Sequence, residues 1–298
     1  TRNMDFTTEP PSTMRNYDSD IASEEWYLSS QPVSAKIQAK FQIALPPPKS
    51  SQLLRLSPKL LLQLQQLPSN HRPVPVLEIW QPPLRKSKLT KRFPQHPKLG
   101  KRDIYATLNE PYITNKQPNR QDHLQEQDTQ SNNIQKEDIV AAMCQASSSD
   151  NPASSIHFRD TRCIWQVGAN SAGPGKGTCY RFVIKEETTT GSEHCRMIMQ
   201  WEKRVISANG SAASGSRGNE EFALLIVDCE TRRKYRIATM TRGEIEITVR
   251  KSSILDRLRT YMALTEPVSE GTIELETWLY TLVLSLGVSV AFQEGWLG

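Results

Sequence analysis

Three groups of residues in this chain have the types that chemistry needs. The stretch Gly168-Ala-Asn-Ser-Ala-Gly173-Pro-Gly175-Lys176-Gly177-Thr178 carries the glycines and lysine of a phosphate-binding loop. Such a loop needs Ser or Thr directly after the lysine to reach Mg²⁺, and a helix start that aims its amides at phosphate. Here Gly177 follows Lys176 and strand patterning begins at Thr178, so the stretch reads as a hairpin loop. His157, Cys163, Cys179 and Cys195, with His194 in reserve, are of metal-ligand type. Structural zinc sites draw ligand pairs from tight turns, about two to four residues apart. These residues lie on separate predicted strands without such pairs, so buried thiols are the better reading and neither metal nor cofactor is expected. Nucleophilic catalysis would need Cys with His, or Ser with His and Asp. The histidines His71, His96, His123, His157 and His194 lie outside any recognisable motif, and the chain is read as non-catalytic.

Charge placement points to binding instead. Arg232, Arg233, Lys234 and Arg236 sit at the tip and start of a predicted hairpin. Joined by Lys203 and Arg204 from the preceding strand, they would form an anion-binding face for phosphorylated headgroups. Glu202 and Glu230 are close enough in sequence to pair with them, which would leave an ordinary solvated surface. A second basic run comprises Arg85, Lys86, Lys88, Lys91, Arg92, Lys98, Lys101 and Arg102, with no acid among them. It suits nucleic acid, anionic lipid or a nuclear import receptor, or else it is a solvated connector.

The elements that must position these groups are unevenly distributed. Hydrophobic residues make up 37% of the chain, which includes 19 prolines and carries a net charge of +5. That apolar share is below the ~45–50% of an ordinary globular chain, so part of the length should stay unfolded. Residues 1–50 read as disordered. Within 51–114, Leu60, Leu61, Leu64 and Leu67 predict a helix with Ser57 as N-cap and Pro58 at its first position. Val74 to Trp80 and Asp103 to Asn109 read as strands, forming either a subdomain or the first strands of the main domain. Residues 115–152 read as a linker or long loop.

A β-rich domain over 153–298 follows. Strand patterning marks Ile156 to Val167, Thr178 to Lys185, Cys195 to Val205, Glu221 to Asp228, Lys234 to Met240 and Gly243 to Arg250. An amphipathic helix begins at a capping-box variant, Ser253 to Asp256. A second helix, from near Glu274, is apolar almost all round except for Thr277, Thr281, Ser285 and Ser289, whose hydroxyls can bond to preceding carbonyls. The alternation of Val288, Val290 and Phe292 also allows its last third to be a strand. A helix apolar on every side needs enclosure by protein. The fold class is therefore α+β, an antiparallel barrel or meander around an apolar C-terminal helix.

Five cysteines without a CxxC pair, and an N-terminus lacking an apolar signal region, favour a reducing compartment, cytoplasmic or nuclear. The chain opens on Thr rather than Met, which leaves room for residues before Thr1. The sequon at Asn209 is then without consequence. The apolar run from Trp278 to Phe292 is shorter than a spanning helix and has acidic flanks, so no transmembrane span is expected.

The hairpin LLIVDCETRRKYRIATMTRGEIEI and the helix ELETWLYTLVLSLGVSVAF resemble those of the tubby-like superfamily, with its scramblase and LURP-one type domains. The resemblance covers about 156–298 and is one of pattern. It implies a closed barrel threaded by the C-terminal helix, binding phosphoinositide or protein on its exterior, without catalysis. Such barrels use about twelve strands, whereas six are marked here, or eight with the N-terminal pair. LLLQLQQLPSNHRPVPVLEIWQPP also looks like a stretch of uncharacterised filamentous-fungal proteins, which brings no function. The leading expectation is a binding or scaffold protein for anionic lipid or an unidentified protein. A nuclear or nucleic-acid-associated adaptor acting through Arg85 to Arg102 is the alternative, and an enzyme with an unrecognised site is a third class.

Overall fold

Alternation that is easily missed in a polar setting starts the fold. In Ile37–Ala44 (β1), Ile37, Ala39 and Phe41 are buried while Gln38, Lys40 and Gln42 are exposed, the period of a strand with one dry face. A computed structural model describes residues 37–46, 57–69, 71–83, 87–114, 139–146, 154–161, 163–171, 178–185, 198–205, 220–228, 231–265 and 274–297. After β1 come β2 (Lys59–Gln66), β3 (Val74–Gln81), β4 (Ser87–Lys88), β5 (Lys98–Leu99), β6 (Ile104–Leu108) and β7 (Ile139–Cys144). Then follow β8 (Ser154–Phe158), β9 (Ile164–Ser171), β10 (Thr178–Lys185), β11 (Ile198–Val205), β12 (Glu220–Val227), β13 (Lys234–Met240) and β14 (Glu244–Val249). Helices α1 (Ser252–Thr265) and α2 (Leu275–Gln293) end the chain.

Twelve of the strands form a closed antiparallel barrel in the order β1-β14-β13-β12-β11-β10-β9-β8-β7-β6-β3-β2. It is an up-and-down meander sealed by its first and last strands, with Ile37 opposite Val249 and Phe41 opposite Ile245. Closure leaves the barrel without an unpaired edge among the described strands. Within 51–114, β2, β3 and β6 are therefore barrel strands, while β4 and β5 pair with each other. β1 lies inside the stretch expected to be disordered, and β7 inside the stretch read as a linker; most of the remainder of 1–50 and of 115–152 falls outside the described residues.

Two local expectations are corrected. The leucines of 60–67 form β2, not a helix: Leu62, Leu64 and Gln66 are buried at two-residue spacing, and pairing on both sides holds the strand extended. The leucine spacing fits either period, and only these partners decide. The single strand expected from Ile156 to Val167 is two, β8 and β9, reversed at Asp160, whose φ of 59° is left-handed and tolerated by aspartate better than by most side chains.

α2 runs through the barrel. Every residue from Leu282 to Ala291 is buried, and the helix approaches β14 on one wall and β7 on another. Its last third is helical. Gly287 lets it lie close to the wall: a Cβ there would sit 3.0 Å from the Ile245 side chain and 3.3 Å from the Met240 sulfur. Ser285 and Ser289, two residues to either side, lie on the opposite helix face. Thr281 bonds back to the Thr277 carbonyl at 3.0 Å and reaches the Tyr112 hydroxyl at 3.2 Å. The Ser285 hydroxyl does not follow: it is buried with no partner among the described residues. α1 adds Ile254, Leu255 and Leu258 to the same core. It starts at Ser252, so Ser253 lies inside it and is not its cap.

The segment between β3 and β6 leaves the barrel and folds back over the outer wall as a strap carrying β4 and β5. Its Leu89, Phe93 and Leu99 are buried in a second cluster with Tyr105, Ile139 and Ala142.

Candidate functional site

The turn between β12 and β13 is built around one buried carboxylate. Asp228 is 2% exposed. Its oxygens accept from the Thr231 hydroxyl at 2.6 Å and the Thr231 amide at 3.3 Å, and they pair with Arg257 of α1 at 2.7 Å. The turn residue Arg232 has φ of 56°, a left-handed conformation that costs energy in any residue with a Cβ. Arg232, Arg233, Lys234 and Arg236 are all exposed. Lys234 pairs with Glu202 at 2.6 Å, the competition foreseen for that carboxylate.

The fold adds residues that sequence reading did not assign to this face. β13 and β14 pair with Ala238 opposite Ile247, and Lys251 follows β14 beside the start of β13. Lys251 Nζ lies 5.7 Å from the centre of the Tyr235 ring. Arg257 is drawn in by Asp228; burial lowers its pKa, but bonding to Asp228 outweighs this and holds it above the ordinary value. Arg250 and Arg259 are exposed nearby in the chain, Arg259 paired to Asp256 at 2.7 Å.

Lys203 is a correction. It shares the inward parity of Met199 and Trp201 and opposes Phe222, five positions along β11 from the Ile198–Val227 pair that borders the basic turn. At ~3.3 Å per residue, that places it at the other end of the barrel. There it pairs with Glu294 after α2 at 3.0 Å and with Glu220 at 3.1 Å, and lies 5.7 Å from the Phe222 ring centre. Tyr180 donates to Glu294 at 2.6 Å, and Arg242 bridges Glu220 and the Trp296 ring. Burial lowers the Lys203 pKa, but the two glutamates more than offset it, so the ammonium is held above its usual value. Lys203 holds the end of α2 in the barrel mouth and is no part of an exposed face. Arg204, half-buried and opposite Glu221, lies one position further toward that mouth.

Comparison with protein-family models, curated proteins and solved structures finds no match.

Roles therefore rest on this chain's own geometry. In the second basic run, Arg85 and Lys86 lie outside the described residues and Lys88 is in β4. Lys91, Lys98, Lys101 and Arg102 are exposed on the strap, while Arg92 Nε donates to Asp160 at 2.7 Å. The described part is thus folded and anchored on its apolar side. Cys163 and Cys179 are buried, and the Cys144 thiol is pushed up to about 12 by burial and by Asp103. Cys195 and His194 lie outside the described residues, as do 172–177 of the glycine-rich loop. Among the described residues no three His, Cys, Asp or Glu side chains converge as a metal set. A shallow hollow on β9 and β10, lined by Gln166, Gly168, Asn170, Arg181 and Val183, contains a single titratable group, Arg181. By length and composition α2, with 19 residues, is apolar enough to cross a membrane, and 72% of its apolar window is buried inside the barrel.

Proposed function

We propose that this chain is a non-catalytic binding protein of tubby-like type whose basic end engages an anionic phospholipid surface. The closed barrel threaded by α2 supports the family reading. The observation that carries the functional one is the β12–β13 turn: Arg232, Arg233 and Lys234 stand exposed at its tip, on a base fixed by Asp228, beside Lys251 and Arg257. Clustered cations of this kind attract anionic bilayers by ~1 kcal/mol each near the surface. The arrangement suits a membrane better than single-stranded nucleic acid, since Tyr235 lies half-buried rather than presented for stacking.

The test is co-sedimentation of the full chain with vesicles containing phosphatidylserine or phosphoinositide, beside the triple variant Arg232→Ala, Arg233→Ala, Lys234→Ala. Binding by the natural chain and its loss in a folded variant are expected. A folded chain that ignores every anionic vesicle would overturn the lipid reading and move the search to protein partners.

A further inference from the structure

The strap is fixed to the barrel by a buried histidine. His157, on β8, is 4% exposed. Its Nδ1 lies 3.2 Å from the Pro94 carbonyl of the strap, and its Nε2 lies 3.0 Å from the hydroxyl of Ser155. A carbonyl can only accept, so Nδ1 carries the proton and donates, leaving Nε2 to accept from Ser155. The neutral ring is thus matched on both sides. A second proton, on Nε2, would reverse the Ser155 bond and place a full charge beneath the strap.

The charged neighbours offer that charge little relief. At the strap tip are Arg92 and His96; after β8 come Arg159 and Asp160; Asp103 precedes β6; Cys144 ends β7. Asp160 is already shared between Arg92 and Arg159. Asp103 is occupied at the foot of the strap, accepting from the amides of Gly100 and Gln145. Among the described residues no carboxylate pairs with the His157 ring.

We propose that the segment from Ser87 to Asp103 is a pH-operated strap, docked while His157 is neutral and released from the barrel wall when it is protonated. Docking lowers the His157 pKa, chiefly through burial and against the Pro94 bond. The released ring returns to the ordinary value near ~6.5, so docking weakens as pH falls below that and levels off beneath the docked value. Asp103 works in the opposite sense, because burial raises its pKa and acid relieves that cost. Release uncovers Tyr105, Ile139 and Ala142 and frees a basic segment. None of this involves the turn at Arg232.

Hydrogen exchange of the full chain at pH 7.5 and 5.0, corrected for intrinsic rates, tests it. Protection of 89–99 should fall at the lower pH, by up to tenfold for each unit that docking lowers the pKa, while β11 to β14 stay protected. His157→Gln should abolish this loss at low pH, and Asp103→Asn should retain or deepen it. Equal strap protection at both pH values would overturn the proposal, as would an unchanged loss in His157→Gln. Should that variant not fold, direct NMR titration of His157 in the natural chain decides, and a pKa at or above ~6.5 sinks the idea.

Discussion

The two ends of the barrel use the same residue types to opposite effect. At one end Lys203, Glu220, Glu294 and Arg242 close on one another around the last residues of α2, with the Lys203 side chain 18% exposed and Glu294 13%. At the other, Arg232, Arg233 and Lys234 stand out in solvent and one buried carboxylate, Asp228, organises the turn beneath them. The difference is positional: inward parity at a strand end makes Lys203 a fastener, whereas the turn leaves its cations exposed, Lys234 in a half-exposed pair with Glu202. Charge content alone does not separate the two.

The largest effect should come from breaking the fastened end. Lys203→Ala leaves Glu294 without its cation in a confined site and should cost about 2–4 kcal/mol, read as a lowered urea midpoint. Lys234→Ala, whose lysine is about half exposed, should stay within about 0.5 kcal/mol. Equal costs for the two would abolish the distinction between the ends.

Reading the sequence marked β3, β6 and β10 to β14 as strands and α2 as an apolar helix, but it ran β8 and β9 together and took β2 for a helix. It missed β1, whose outward Gln38, Lys40 and Gln42 resemble a polar loop, and β7, a short strand set in Gln, Asn and Ser-rich sequence. It placed Lys203 with the basic turn because sequence adjacency of hairpins says nothing about which end of a strand a residue occupies. The place of Arg232 to Lys234 at a hairpin turn was legible; Lys251 and Arg257, which only the Tyr235 and Asp228 contacts bring in, were not.

Smaller effects sharpen the contrast. Arg232→Gly relieves a left-handed φ and should raise stability by up to about 1 kcal/mol, measured by thermal unfolding, while weakening vesicle binding. A loss of stability would mean that the arginine side chain holds the turn. Between the ends, Ser285→Ala removes a buried hydroxyl without a partner and should be neutral or stabilise by less than about 1 kcal/mol. Clear destabilisation there would show that the middle of α2 depends on a polar contact as the ends do.

The seam between β1 and β14 has a consequence for how the chain is made. Ile37 must wait for Val249, and the core helix is made only after every barrel strand. Until then the nascent sheet has two open edges and an empty apolar lining, the state most exposed to intermolecular pairing. With its closing contacts so distant in sequence, the domain belongs among slow folders, and its dependence on chaperones should peak just before α2 is translated.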